Sequence, residues 1–173
     1  MTLSKKTFLA WWLSGLAIFA LSIFLHSPLA IAGVSEGILD HQGAGSAARV
    51  EQIQQLWADA GLLTTARLAM QSDLIFIGVY GIGAVLAGAY YRASDARLLR
   101  VTGWVLALSG VVFLASDYLE TLLQLVQLNR FEGDDRLAAI AAACGPYKVA
   151  SFLVSFALVL IALAAERFSS RAA

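Results

Sequence analysis

Ionisable and hydrogen-bonding side chains recur along this chain at helical spacing, inside stretches that are otherwise apolar. Asp117, Glu120, Gln124 and Gln127 step by three, four and three; Cys144, Lys148, Ser151 and Ser155 step by four, three and four. Asp73 and Tyr80 lie seven apart, and Ser22 and His26 four apart. Such steps place each set on one face of a helix. An ammonium, carboxylates, an imidazole and a phenol can pair ions, hold a proton or cation, or support acid–base chemistry. Ser151 and Ser155 have no evident base beside them and read as ordinary helix serines.

The depth of these groups can be measured against basic residues at the ends of the apolar stretches. At the α-helical rise, Lys148 lies about 28 Å from Arg167, Asp73 about 28 Å from Arg92, and Asp117 about 25 Å from Arg100. Glu120 and His26 each come out about 30 Å from Arg100 and Lys6. Four helices thus place charges in one layer, and exposing that layer to lipid is costly, so the stripes should face inward. Lys148 is expected to be held by acids of the second and third spans. Asp73, Asp117 and Glu120 around a single Lys148 leave excess negative charge, which a bound proton or cation would offset. Pro146 cannot donate to the Ala142 carbonyl, so the helix is expected to bend or unwind just before Lys148.

The elements that position these groups follow from composition. The chain has 173 residues, 60% hydrophobic and 14% charged, with a mean hydropathy of +0.75. A soluble domain averages about a quarter charged. Four apolar runs, 8–32, 70–91, 101–123 and 137–165, approach the roughly 20 residues that cross a bilayer. The fold class predicted is an all-α membrane protein forming a single integral membrane domain. It is an antiparallel four-transmembrane-helix bundle, because the connections "YRASDARLLR" and "NRFEGDDR" are short. Between the first and second spans, Val50, Ile53, Trp57 and Ala60 repeat at helical spacing opposite Arg49, Glu51, Gln52, Gln55 and Asp59. Residues 46–60 therefore form an amphipathic helix, lying at the outer interface, capping the bundle, or serving as a solvated connector. Ala84/Gly88 and Gly103/Ala107 permit close helix approach.

Basic residues bias the orientation. Lys5, Lys6, Arg92, Arg97, Arg100, Arg167 and Arg171 fall on one side, against Arg49, Arg67, Arg130 and Arg136 on the other. The positive-inside rule puts both termini in the cytoplasm, in the inner membrane of a bacterium. Trp11, Trp12, Tyr90, Tyr91 and Trp104 then form a cytoplasmic aromatic belt. "MTLSKK" and "PLAIA" also fit a signal peptide, but the apolar run is longer than a usual h-region, so an uncleaved helix is expected.

Composition also excludes several classes. A net charge of zero gives no basis for nucleic-acid binding. One cysteine cannot form an internal disulfide, and two histidines, only His26 within a span, supply neither paired haem ligands nor a zinc site. No cofactor and no metal are expected.

Taken together, "GVSEGILDHQGAG", "VEQIQQLW", "SDLIFIGVYG", "SDYLETLLQ" and a lysine in the fourth span give a resemblance. The chain resembles an uncharacterised family of small four-span bacterial integral membrane proteins. The resemblance implies the four-helix layout and an inward role for the D-x-x-F-I-x-x-Y and D-x-x-E pieces, and brings no activity.

The candidate ligand or ion-pair cluster is Lys148, Asp117, Glu120, Asp73, Tyr80 and His26. One reading makes it a binding site for a small amphiphilic ligand, a lipid headgroup, a proton or a cation. A second is a membrane-embedded acid–base enzyme acting on a lipidic substrate. A third is a structural or accessory subunit of a larger membrane complex, in which the polar layer stabilises the bundle. Membrane lipids and an oligomeric or complex partner are the expected partners. Each residue also has a plainer role: His26 at the interface, Cys144 in packing, Tyr80 as a bundle tyrosine, and Gln124/Gln127 solvated beyond the membrane.

Overall fold

The computed structural model describes residues 3–169; Arg171, counted above among the basic residues, lies outside the described residues. Four long helices dominate: α1 (Lys5–His26), α4 (Leu63–Arg92), α5 (Arg97–Arg130) and α6 (Asp135–Ser169). Two short ones, α2 (Ile38–Gln42) and α3 (Ala47–Asp59), lie between α1 and α4. Each long helix contains a segment long and apolar enough to cross a membrane, and all run past the apolar stretches into polar ends. This is an integral membrane protein.

Local chemistry sets the boundaries. Ser4 caps α1 by accepting the Thr7 N–H at 3.2 Å, and Pro28 ends it in a turn of 3-10 helix. Ser46 caps α3, and Asp134 caps α6 by accepting the Leu137 N–H at 2.9 Å. The unwinding expected ahead of Lys148 is not found. α6 runs unbroken through Pro146 over 35 residues, because one missing N–H removes a single bond from a long cooperative helix.

The long helices pack antiparallel in sequence order, α1 on α4, α4 on α5, and α5 on α6. Glycines allow backbone to approach backbone. A Cβ added at Gly15 would lie 2.6 Å from the Tyr80 Cα, and one at Gly88 2.7 Å from the Ala107 Cα. α1 and α6 do not pack along their lengths. They are bridged by ring pairs, Trp12–Phe156 at 5.7 Å and Phe19–Phe152 at 5.4 Å.

At one end, α2 and α3 close over the bundle. Leu29, Val34, Ile53 and Trp57 bury with Met70 and Leu128 in an apolar core of their own, and the Trp57 indole N–H donates to the Leu29 carbonyl at 3.0 Å. Asp135 accepts the Ala47 N–H at 2.7 Å, and Glu51 accepts the Gly133 N–H at 3.2 Å, fastening α3 to the α5–α6 connection. Of the placements open to the amphipathic helix, the cap is the one adopted.

The opposite end is clasped by Glu166. It pairs with Lys5 at 2.6 Å and accepts from the Tyr90 and Tyr91 hydroxyls at 2.9 and 3.3 Å, joining α1, α4 and α6. The expected aromatic belt is corrected here. Trp12 and Tyr91 are buried, because Trp12 shares the inward face of α1 with Phe8, whose ring meets Tyr91 at 5.6 Å. Trp104 stays exposed, with the Arg92 guanidinium 4.5 Å from its ring.

Two outcomes test this packing. Gly15→Val forces α1 away from α4 and should cost about 1–3 kcal/mol, read as unfolding free energy in bicelles. In the cap, His41 is fully buried against Trp57 (5.3 Å between rings) and the Gln54 amide (3.2 Å). Burial disfavours its charged form and pushes its pKa down from 6.5 to about 3. The unfolded imidazole therefore binds a proton first. The stability that depends on neutral His41 is complete above about pH 6.5 and declines as pH falls toward 3, by up to about 1.4 kcal/mol per unit. Unfolding measured at pH 7 and pH 5 should show this loss in the wild type and a smaller one in His41→Leu.

Candidate functional site

Lys148 projects from α6 toward α5 and the cap. Its Nζ lies 2.5 Å from Glu120 Oε2 and 3.7 Å from Asp117 Oδ1, and it donates to Gln42 Oε1 at 2.8 Å. Two oxygens thus lie within 3 Å of the ammonium, and that of Asp117 stands at ion-pair distance. Glu120 and Asp117 reach it together because they stand one turn apart on α5. Both are buried, and Lys148 is only 13% exposed at its side chain.

Gln42 was not among the residues expected here. It lies at the end of the five-residue α2, where no periodic stripe marks it. The fold brings it over the lysine and ties it to α5, its carbonyl accepting from Gln124 Nε2 at 3.3 Å. Gln127 donates to Gln124 Oε1 at 3.2 Å and accepts the Asp134 N–H at 3.0 Å. Gln124 and Gln127 are therefore buried links between the ion pair and the cap, not solvated ends. Thr121 completes the stripe, donating to Asp117 at 3.4 Å.

Asp73, expected to share Lys148, pairs with His26 Nε2 at 3.1 Å instead. The charged layer thus divides into an α5–α6–cap cluster and an α1–α4 pair. Tyr80 joins neither. Its hydroxyl pairs with Ser155 Oγ at 2.9 Å and donates to the Phe152 carbonyl at 3.3 Å. Phe76, Phe113 and Phe152 pack around the Tyr80 ring, with centroids 4.8–5.7 Å away, and these three rings also line the cavity between the two clusters.

That cavity has a volume of about 320 Å³. Asp73, Asp117, Lys148, His26, Gln42 and Ser22 supply its polar wall, and the remaining lining is apolar. Ile23 of α1, Leu39 of α2 and Val149 and Leu153 of α6 also line it, and each is more than half exposed. The mouth therefore opens through the gap between α1 and α6, into the region that acyl chains occupy. Ser22 is buried on this wall, and its hydroxyl has no hydrogen-bond partner among the described residues.

Chemically, the arrangement offers buried carboxylates and an ammonium beside an apolar chamber, but no activated serine among the described residues. Ser151 donates to the Tyr147 carbonyl at 2.6 Å, and Ser155 to the Phe152 carbonyl at 3.0 Å.

Breaking a buried pair strands its partner's charge. Lys148→Met and Glu120→Gln are each expected to cost about 3–5 kcal/mol, while the double variant costs less than their sum. A double-mutant cycle of unfolding free energies in bicelles checks this; additive losses would show that the two groups are not coupled.

Compared with protein-family models, curated proteins and solved structures, the chain finds no match.

Proposed function

We propose that this is a multi-pass protein of the bacterial cytoplasmic membrane whose cavity binds a small amphiphile. The head lies among Lys148, Asp117, Asp73 and His26, and the tail leaves through the gap between α1 and α6. One observation carries the reading: a chamber of about 320 Å³ joins a polar wall to an apolar mouth on the lipid-facing side. A ligand with one charged or hydrogen-bonding end and one hydrocarbon end matches both.

The charge distribution supports a cap outside the cell and both termini in the cytoplasm. Lys5, Lys6, Arg92, Arg97, Arg100 and Arg167 cluster at the Glu166 end. Arg49, Arg67, Arg130 and Arg136 at the cap end are interspersed with Glu51, Asp59, Glu132, Asp134 and Asp135. Acid–base turnover of a lipidic substrate has less support, since both fourth-span serines are committed to helix carbonyls.

Ligand binding stabilises a fold by mass action, about 2.7 kcal/mol at a hundred times Kd. In phosphatidylcholine nanodiscs, a panel of single-chain amphiphiles should contain members that raise the unfolding temperature of the wild type. Ser22→Phe, which fills the chamber, should remove the shift. A panel that stabilises neither protein overturns the reading and leaves the polar layer a structural device.

A further inference from the structure

We infer that the cavity selects a cationic head, a single-chain amphiphile bearing a protonated primary amine, received by Asp73 and Asp117 and entering sideways between α1 and α6. The inference rests on the amphiphile reading above and names the class of ligand.

Two features argue against an anionic head. First, Lys148 is already met by Glu120 at 2.5 Å and Gln42 at 2.8 Å, with Asp117 at an ion-pair distance of 3.7 Å. An incoming phosphate or carboxylate would have to share one ammonium with two buried acids. Second, the layer is over-supplied with acids. Asp73, Asp117 and Glu120 face Lys148 and His26, so with all three acids ionised one negative charge is unmatched even with His26 protonated, and two with it neutral. An anion would add to that excess, whereas an ammonium offsets it.

The positions of the acids support the same conclusion. Glu120 meets the lysine from outside the chamber, whereas Asp73 and Asp117 line the chamber itself, as Lys148 does. Asp117 is the less engaged of the lysine's two carboxylates, with contacts of 3.7 Å to Lys148 and 3.4 Å to Thr121. Its oxygens therefore have capacity for a further donor. Ser22 is an independent sign of an absent partner. It is 2% exposed, lines the chamber and has no hydrogen-bond partner among the described residues. Turned toward the chamber, that hydroxyl can accept an N–H of an ammonium held by Asp73 and Asp117. The exposed Ile23, Val149 and Leu153 at the mouth leave the hydrocarbon tail in acyl surroundings.

The test compares dodecylamine, dodecanol and dodecanoate, matched in chain, on the full protein in phosphatidylcholine nanodiscs, with binding read from thermal stabilisation and native mass spectrometry. Dodecylamine should bind at least about tenfold more tightly than either competitor, as a charge-assisted hydrogen bond requires. Asp73→Asn and Asp117→Asn should each reduce that preference about tenfold, and Asp73→Glu should retain it. The head-group series on the wild type alone decides the matter if an Asn variant does not fold. Lysophosphatidylethanolamine separates the sources of the amine: binding extends the class to phospholipid heads, and its failure beside bound dodecylamine restricts the class to free amines. If dodecanol or dodecanoate binds as tightly as the amine and Ser22→Phe abolishes it, the amine inference falls while the amphiphile cavity stands. If Ser22→Phe changes the binding of no probe, both fall.

Discussion

The ammonium of Lys148 lies where water cannot solvate it freely, and the surrounding structure depends on how that charge is met. An isolated buried ion would cost many kcal/mol, so the lysine must be supplied with acceptors from its own protein. They come from two elements besides its own helix, α5 through Glu120 and Asp117 and α2 through Gln42. Meeting all three constrains the rotation and depth of α6 against α5, and it requires the cap to lie over the bundle. A buried ion pair of this kind adds little net stability against an apolar core, and its best-attested use is to specify register. The glutamine ladder from Gln42 through Gln124 and Gln127 to the Asp134 backbone extends that specification to the start of α6.

The His26–Asp73 pair has a similar role on the other side, between α1 and α4. Between these two groupings α4 and α5 pack closely, with the Tyr118 hydroxyl donating to the Leu74 carbonyl at 3.0 Å, whereas α1 and α6 stay apart and the chamber lies on their side. Nearer the opposite end, the Phe19–Phe152 and Trp12–Phe156 pairs and the Lys5–Glu166 clasp draw α1 and α6 together. The gap is thus confined to the cap half, beside the polar wall. Aromatic packing and charge placement together make a sided cavity, not a simple defect in a four-helix bundle.

Sequence alone determined the four apolar helices, their antiparallel order, the amphipathic helix between the first two, the inward-facing stripes and the common depth of Lys148, Asp117, Glu120, Asp73 and His26. These follow from the helical rise, the 3.6-residue period and the cost of polar groups in lipid, all of which act along a single helix. Only the tertiary structure decided which charge meets which. It paired Asp73 with His26 and brought Gln42 from an unremarkable turn to Lys148. It also buried Gln124 and Gln127 under the cap, turned Trp12 and Tyr91 inward, and set Tyr80 apart from the charged layer. Partner choice depends on how far apart neighbouring helices stand and how each is rotated. Those quantities are set by glycine contacts such as Gly15 on Tyr80, and by the seating of α2 and α3, which no periodicity within one helix encodes.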